Sequence, residues 1–564
     1  MLFLTLFWLG IGLTMAQKVT GVVISSNDNQ PVMGASVVVK GSIIGTMTDN
    51  DGKFEIGNVP KTAKTLVISY VGMKSQEVPI SSVPLKVVLV SSDKQLNEVM
   101  VVAYGTVKKS AFTGSATVVN PDQLKTAAAS FDKGLAGQVA GVQVVSQSGQ
   151  PGSATSFRIR GAGSLSASNE PLIVIDGVAT TNDDYSQVAI DNDSSSNLLA
   201  SLNPDDIESI TILKDAAAAA LYGSRAANGV ILITTKKGKT GNTKVTLDVK
   251  YSTTSLAGKY DMMSSADYYK HLFTAYMNAG KDYKTANELA QGQITHNPYN
   301  VDDPLDASGN VVDGAKIVVN TDWQKETFKS AGTQDYTVGV SGGNDKSSYY
   351  FSAGYMNQDG ISPNSNYKRY SAKSNLESQA KNWLKVGLNT LFSYSIQNTT
   401  VAGSAGANPM LNSVQFPNGV PVYVVDSNGK DVLDSNGKKQ YNYTNPVALD
   451  FNPCSSPYDD VHWSKMYRLL ASAFAEVKFF KGLTFKTTFS PDFIYTPEHR
   501  YWNKNHGNGP AYNGRLDKYS TTDLMYTSTN TLNYKNTFNN VHSINLMAGM
   551  EYWQSTYEYL YAGG

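Results

Sequence analysis

The chain has 564 residues, enough for several domains, and its 47 basic and 47 acidic residues balance. This balance excludes a global electric field that would attract nucleic acid. Charged residues make up 17%, a low share for a soluble protein, whereas tyrosine occurs 33 times. Tyrosine suits half-wet pleated surfaces and membrane interfaces. The single cysteine, Cys454, cannot form an internal disulfide, so an oxidising compartment is neither required nor excluded.

The first sixteen residues are almost wholly apolar and end in the small-residue pattern Thr14-x-Ala16. This pattern predicts a signal peptide, residues 1–16, cleaved after Ala16. A membrane-anchor helix is the alternative, although sixteen residues fall short of the ~20 that a spanning helix needs. No later apolar run is long enough to span a bilayer as a helix. A mature protein in a membrane would therefore have to cross it as a β-barrel.

Residues 17–91 alternate short apolar runs with turn signals such as Asp51-Gly52, and predict a small β-sandwich of five or more strands. A calcium loop starting at Asp49 is disfavoured because Lys53 stands where a third ligand is needed. Residues 92–114 are more polar and enclose a β-prone run from Val99 to Tyr104. This segment is either a plain linker or an extended segment offered to another protein by strand addition.

Residues 115–238 mix strand and helix patterns and predict a compact α+β domain. Helical patterns run from Gln123 to Gly137 and from Pro204 to Gly223. Asp205 and Asp206 fit the first turn of the second helix, where carboxylates suit the helix dipole. The runs PLIVIDGV and GVILITTKKG predict strands.

From Thr243 onward, apolar and polar residues alternate along stretches of about ten to fifteen residues. In one stretch Leu388 and Phe392 share a face, while Asn389 and Ser393 share the other. An apolar and a polar face fit lipid outside and a wet lumen inside a barrel. Nine such strands are predicted, near 243–257, 333–342, 347–358, 367–378, 383–397, 466–479, 482–494, 522–536 and 539–553.

The connections between these strands alternate between long and short. A membrane barrel has this parity, because short periplasmic turns alternate with long external loops. The longer connections are residues 258–332, 359–366, 398–465 and 495–521, and the tight turns are residues 343–346, 379–382, 480–481 and 537–538. The segment from Ser264 to Leu289 within the first long loop has a helical pattern.

Nine strands do not close a barrel around a segment as large as 115–238. About eight strands enclose only side chains, whereas ~22 hold a plug. We therefore expect residues 239–564 to be the amino-terminal part of a truncated barrel. The predicted fold is mainly β, with a β-sandwich, an α+β domain and an incomplete antiparallel transmembrane β-barrel.

Longer motifs resemble one family across the whole chain, the SusC/RagA family of TonB-dependent outer-membrane transporters of Bacteroidetes type. Residues 21–80 resemble its carboxypeptidase-regulatory-like domain, and LNEVMVVAYGTVKKSAFTGS resembles its linker with a TonB box. FRIRGAGSL, PLIVIDGV and LNPDDIESITILKDAAAAALYGSRAANGVILITTKKGK resemble its plug domain. The last motif is long and nearly unbroken, and it carries the resemblance most strongly.

The resemblance assigns site residues by position. Met100 interrupts an otherwise all-valine run and Ala103 stands where glycine is usual, so the TonB box departs mildly from the pattern. The box comprises Glu98, Val99, Met100, Val101, Val102, Ala103 and Tyr104. The plug motif comprises Arg158, Arg160, Gly161, Asp176, Gly177, Lys214, Asp215, Tyr222, Gly223, Arg225, Asn228 and Gly229.

Arg158 and Arg160 are expected to point the same way on a strand. In related plugs such arginines meet carboxylates of the barrel wall, and Glu476, predicted to face the lumen, is the candidate partner; surface arginines are the alternative. Aromatic residues of the external loops either pack the loops or stack on a ligand. They are Tyr441, Tyr443, Trp463, Tyr501, Trp502 and Tyr512.

Enzyme motifs are not found: no HExxH zinc pattern and no GxSxG elbow occurs, and Cys454 has no evident partner histidine. We expect no catalytic residues, no metal and no cofactor.

The resemblance implies TonB-dependent import of an oligosaccharide or peptide across the cell outer membrane. It implies contact with outer-membrane lipid, TonB and a SusD-like surface lipoprotein as partners, and periplasmic residues 17–114. The resemblance does not identify the transported ligand. The alternatives are an outer-membrane receptor that transduces a signal, and a non-transporting adhesin or secreted enzyme.

Overall fold

The chain was analysed as a computed structural model, which describes most of its residues. The described ranges are 16–26, 30–42, 44–60, 62–70, 73–81, 83–90, 99–102, 105–108, 115–119, 129–146, 148–165, 168–180, 185, 197–215, 220–400, 407–447, 451–538 and 542–564. The predicted signal peptide, apart from Ala16, lies outside them. The chain divides into two compact units, residues 1–100 with 106–113, and residues 101–105 with 114–564.

The first unit contains a β-sandwich of two small sheets. Alternation along its strands puts apolar side chains such as Phe54, Ile56 and Val59 into one core. One sheet has the order β4-β1-β7 and the other β3-β2-β5-β6. The strands are β1 (Ala16–Ser25), β2 (Ser36–Val39), β3 (Gly45–Met47), β4 (Lys53–Pro60), β5 (Thr65–Ser69), β6 (Gln76–Pro79) and β7 (Leu85–Leu89).

The predicted TonB-box segment contains a short strand. β8 (Val99–Val102) pairs with β9 (Gly105–Lys108) in a two-stranded sheet. Glu98, Ala103 and Tyr104 lie outside the described residues. The β-propensity of the valine run therefore agrees with the local structure.

The region that we call the plug segment, residues 115–238, contains a five-stranded sheet of order β10-β15-β16-β13-β14 and a separate hairpin, β11-β12. Within the five-stranded sheet, only β13 and β16 pair in parallel. The strands are β10 (Ala116–Val119), β11 (Val142–Ser146), β12 (Thr155–Ile159), β13 (Leu172–Ile175), β14 (Val178–Thr180), β15 (Ile207–Leu213) and β16 (Val230–Thr235).

The predicted helix from Pro204 to Gly223 is wrong over its central part. A short 3-10 helix, Pro204–Asp206, is followed at once by β15, because the run IESITIL is rich in β-branched residues that prefer a sheet. A second 3-10 segment, Ala220–Ala226, is broken at Gly223. In the other predicted helix, the described part contains the 3-10 helix Asp132–Leu135, and residues 123–128 lie outside the description.

Nine long strands, called here the wall sheet, follow in one antiparallel sheet in which neighbours in sequence are neighbours in space. This confirms the predicted strand succession, although most strands reach further toward the long loops. They are β17 (Gly241–Thr254), β18 (Ala331–Gly343), β19 (Ser347–Asp359), β20 (Asn366–Lys381), β21 (Leu384–Asn398), β22 (Val461–Phe480), β23 (Leu483–Trp502), β24 (Arg515–Phe538) and β25 (His542–Gly563).

The predicted parity of the connections is confirmed. Turns of two or three residues join β18 to β19, β20 to β21 and β22 to β23, while longer segments lie at the other end of the sheet. The longer segments contain α1 (Ser265–Asn278), α2 (Tyr283–Ile294), α3 (Trp323–Thr327), α4 (Pro409–Gln415) and α5 (Ser456–Asp459). The predicted helical segment of the first loop is thus two helices.

Two of these loops share a hydrophobic core, in which the Trp323 and Phe416 rings meet edge to face at 5.2 Å. No helix in the described part of the chain is long and apolar enough to cross a membrane.

Candidate functional site

The wall sheet has two faces, and the plug segment packs on one of them, called here the inner face. Ser393 on this face is buried, while its neighbour Phe392 is 43% exposed on the outer face. The face assignment predicted for this strand is therefore confirmed. Leu391 and Leu470 are apolar exceptions on the inner face, and both join the hydrophobic core of the plug segment.

Arg369 of β20 forms a buried polar contact between the wall and the plug segment. Its Nη1 donates to the backbone carbonyls of Ala129, Ala200 and Leu202, at 2.9, 3.0 and 2.9 Å. The side chain is 1% exposed. A guanidinium can satisfy several carbonyls at once because its donors are fixed in a fork. Arg369 therefore holds two stretches of the plug segment against one wall strand.

Arg468 of β22 forms a second buried contact, together with Asp492 of β23. Nε and Nη2 of Arg468 donate to the two carboxylate oxygens of Asp492, at 3.1 and 2.8 Å. The hydroxyl of Thr180 in the plug segment accepts from Arg468 and donates to Asp492, at 2.9 and 3.0 Å. Nη1 of Arg468 also donates to the Ser201 hydroxyl at 3.2 Å. The wall thus supplies a complete ion pair, and the plug segment docks on it through neutral groups.

Lys250 of β17 joins a carboxylate of the plug segment to one of the wall. Its Nζ lies 2.5 Å from Asp205 and 3.2 Å from Asp335. Both carboxylates are buried, and each has one oxygen without a hydrogen-bond partner. Two anions therefore depend on one cation. From the sequence, Asp205 was expected only to interact with a helix dipole, so its contact with Lys250 was not predicted.

Asp206, the next residue, bonds to the wall through two hydroxyl groups. Its carboxylate accepts from the hydroxyls of Tyr350 and Ser352, at 2.7 and 2.5 Å. Burial raises the pKa of the Asp206 carboxyl above its usual value, although the two hydroxyl bonds act in the opposite direction.

Asp176 and Gly177 form the hairpin turn between β13 and β14, as predicted, with φ values of 50° and 88°. The Asp176 carboxylate also accepts from the Thr235 amide at 2.8 Å and from the Asn389 side chain of the wall at 2.6 Å. Lys373 of the wall lies 3.9 Å away. The turn therefore also attaches the plug segment to the wall.

Two contacts have the opposite polarity, with the cation on the plug segment. Arg225 donates to Glu551 of β25 at 2.8 Å and lies 5.5 Å from the centre of the Trp553 ring. Lys237 lies 3.4 Å from Glu377 of β20. Arg225 is the member of the predicted plug motif for which the structure shows an arginine–carboxylate pair with the wall.

The prediction that Arg158 and Arg160 meet Glu476 is wrong. Arg160 has a φ of 60°, which turns it out of the strand, and it pairs with Asp215 of the plug segment at 2.5 Å. Glu476 instead lies opposite Lys486 on the neighbouring wall strand. Arg158 has a buried Nη1 without a hydrogen-bond partner. The strand ends at Ile159, so the alternation that placed the two arginines together stops between them.

The other residues of the predicted plug motif hold the plug segment together. Lys214 donates to the carbonyl of Ala140 at 3.0 Å, and Asp215 also accepts from the Ser115 amide at 2.6 Å. The Asn228 side chain donates to the carbonyl of Ser168 at 2.8 Å. Tyr222 is buried, and glycines with positive φ make the adjacent turns, namely Gly161, Gly223 and Gly229.

The predicted loop aromatics separate into three groups. Tyr441 and Tyr443 pack within the loops, against Tyr423 and His506. Trp463 and Tyr501 belong to wall strands rather than loops, so that placement is wrong for them, as it is for Trp502 at the end of β23.

Trp502 and Tyr512 belong to an aromatic–arginine cluster at the loop end of the inner face. Arg515 lies 5.1 Å from the Trp502 ring and 5.5 Å from the Tyr512 ring, while Arg500 lies 4.6 Å from Trp502. Tyr519 and Tyr561 stack beside them with centroids 5.1 Å apart. Asp517 pairs with both arginines. Rings and paired charges side by side can stack on flat or apolar ligand groups.

The outer face has a ladder of six tyrosines on six successive strands, each opposite the next in register. Neighbouring ring centroids are 4.6–6.4 Å apart. The sequence showed only that tyrosine is common, since register across long loops is not visible in it. The ladder comprises Tyr336, Tyr355, Tyr370, Tyr394, Tyr467 and Tyr495.

No group of three or more His, Cys, Asp or Glu side chains in the described ranges is placed to hold a metal ion. At Asp49, the carboxylate accepts from the amides of Asp51 and Lys53 in an ordinary turn.

Two family models match the chain. Residues 108–230 match the TonB-dependent Receptor Plug Domain, and residues 19–101 match the CarboxypepD_reg-like domain. These matches cover most of the plug segment and of the β-sandwich.

Curated relatives extend the similarity into the wall sheet. The chain is 37% identical to TonB-dependent receptor SusC of Bacteroides thetaiotaomicron over 404 residues, which are 70% of this chain and 36% of SusC. It is 31% identical to TonB-dependent receptor P3 of Formosa agariphila over 573 aligned residues, which are 100% of this chain and 50% of that receptor. The chain thus spans half or less of the length of these relatives.

Solved structures of a peptide transporter also match this chain. The RagAB peptide transporter matches with a TM-score of 0.64 at 26% identity, over 80% of this chain and 48% of that one. The RagAB peptide importer in its open-open state matches with a TM-score of 0.65 at 27% identity, over 83% and 50%. These relatives are receptors and transporters rather than enzymes.

Proposed function

Since this chain belongs to the SusC/RagA-type TonB-dependent receptors, we propose that it forms the plug and nine wall strands of an energy-coupled importer in the outer membrane. The contact between the plug segment and the inner face carries this proposal. Scattered polar contacts attach the two parts, around a limited apolar core. Such contacts hold the plug segment in place. They can also break under a mechanical pull, because water and wall partners can replace each broken bond.

The pull would act through residues 98–104. A partner strand can pair with a short, β-prone segment, and the hairpin of β8 and β9 is small enough to be exchanged for such a partner. We propose that the partner is TonB.

The ligand class follows from the relatives and from the aromatic–arginine cluster. RagAB, which this chain resembles in fold, is a peptide transporter and importer. Exposed Tyr512 and half-buried Tyr519, with two arginines, offer stacking surfaces at the loop end of the inner face, while the ring of Trp502 is buried within the cluster. We propose an oligosaccharide or peptide ligand, and a SusD-like lipoprotein over the same end.

The outer face supports a position in a bilayer. From Tyr394 to Leu384 along β21, ten residues at ~3.4 Å each and a strand tilt of ~40° span about 25 Å. Leu388 and Phe392 lie exposed within this span. An apolar band of about this height, with aromatic residues at its edge, is typical of membrane barrels.

Replacing residues 98–104 of the full-length receptor by a Gly/Ser segment of equal length tests the coupling. The matched control carries the same replacement at residues 107–113. We expect the first variant to bind ligand normally and to lose uptake in cells, while the control retains both. Uptake by the first variant at the parental rate would refute the coupling.

A further inference from the structure

A groove lies on the outer face where β21, β22 and β23 approach the long loops. Its volume is about 600 Å³, and apolar or aromatic side chains make most of its lining. The lining includes Phe392, Trp463, Lys465, Tyr467, Leu469 and Phe493. The groove includes Tyr467 and Tyr495, the last two members of the tyrosine ladder.

Lys465 brings a positive charge to the rim of this groove. Its Nζ lies 4.4 Å from the centre of the Trp463 ring, and Trp463 stacks on His499 with centroids 5.3 Å apart. Cation and indole attract each other, so the ring holds the ammonium beside the groove.

Two further lysines lie on the same face and at the same end. Lys368 on β20 and Lys465 on β22 are in register across β21, about 10 Å apart. Lys518 on β24 lies across β23 from Lys465 and two residues nearer the loop end. Within the described part of the chain, the lysines that pair with a carboxylate within 4 Å are others than these three. Asp359 of the same face is bonded by Asn366, and Glu558 lies on β25.

We propose that this groove and its row of lysines bind a phosphorylated lipid of the external leaflet. The inference rests on the proposed function, which puts the outer face in a bilayer. Apolar rings and Leu469 would hold an acyl chain, and the lysines would meet phosphate in the headgroup. Lysines at an anionic membrane surface strengthen binding, whereas a protein partner would have to displace lipid from the groove first.

Native mass spectrometry of the full-length receptor tests the proposal. The probes are a diphosphorylated diglucosamine lipid with acyl chains and the same lipid without phosphate, each offered in mixed micelles. We expect selective retention of the phosphorylated probe. Replacing Lys368, Lys465 and Lys518 by glutamine should weaken it about five-fold per lysine. Lys438→Gln, at an exposed loop lysine, is the control and should change nothing.

Equal retention of the two probes, or undiminished retention by the triple variant, would overturn the lipid site. Insertion of each variant into liposomes is measured in parallel. A receptor that inserts without lipid selectivity refutes this inference alone, whereas one that does not insert refutes the proposed function.

Discussion

Arg468 and Asp492 form a bidentate ion pair between two neighbouring wall strands, with N–O distances of 2.8 and 3.1 Å, and Thr180 of the plug bonds to both. The pair is complete without the plug, so withdrawal of the plug leaves no unpaired charge there. Lys250 differs, because it neutralises Asp205 of the plug as well as Asp335 of the wall. The two sites therefore predict different consequences of mutation.

Removing Arg369 is expected to loosen the plug. Arg369→Met removes the donor of the Ala129 and Leu202 carbonyls and one of the two donors of the Ala200 carbonyl, at a cost of roughly 3 kcal/mol. Cleavage of the plug by an added protease should become faster, and ion leak in planar bilayers should rise. Lys368→Met, the adjacent residue on the outer face, should leave both measurements unchanged.

We expect that the stability lost with Lys250 is partly restored when one of its two carboxylate partners is also removed. Lys250→Met leaves two buried carboxylates side by side, which costs roughly 3–5 kcal/mol. Adding Asp335→Asn removes one of them and should restore part of the loss, as seen by thermal unfolding of the plug. If the double variant is less stable than Lys250→Met alone, the shared-cation account is wrong.

Asp206 predicts a pH dependence. Burial raises its pKa in the folded protein above the ordinary carboxyl value of 3.8. The folded state therefore binds this proton more tightly than the unfolded state. Its stabilising contribution is fully present below pH 3.8 and is lost as pH rises through the raised value.

Asp206→Asn cannot ionise, so the variant should lose less stability than the parent between pH 4 and pH 7 in denaturant titrations. Asp313→Asn in an exposed loop is the control. An unchanged pH profile for Asp206→Asn would contradict the assignment.

Cys454 is expected to react slowly in the folded protein. Burial raises the pKa of its thiol to about 12, so at pH 8 only about one thiol in ten thousand is ionised. Alkylation by iodoacetamide, followed by mass spectrometry, should be negligible in the native protein and complete after unfolding. Rapid native alkylation would show that the loop core around Cys454 is open.

Much of the fold was predictable, because long strands with alternating faces and short turns leave a local imprint. The Asp176-Gly177 turn and the outward position of Phe392 follow from period and turn chemistry alone. IESITIL was misassigned because its neighbours, the acidic pair before it and the alanine run after it, favour a helix. β-branching and pairing with β16 prevail in the fold.

The partners across the plug contact were harder to predict. Asp205 and Lys250 are 45 residues apart, and Arg468 lies 288 residues from Thr180. Contacts at such separations depend on register and on how the plug is rotated, neither of which is readable in a single sequence. The tyrosine ladder was not predicted for the same reason, because its members lie opposite one another only once strands separated by long loops have paired.

The central claim is that the plug must leave the wall for import to occur. An ideal Cβ at Gly354 of the wall would lie 2.6 Å from the side-chain amide nitrogen of Asn203 in the plug, so the two side chains are neighbours across the contact. Asn203→Cys and Gly354→Cys are therefore the pair chosen for cross-linking. In the full-length receptor carrying Cys454→Ser, we predict that oxidation of this pair abolishes uptake and that reductant restores it, while ligand binding persists. Each single-cysteine variant should be insensitive to oxidation. Undiminished uptake by the fully cross-linked receptor would contradict the account.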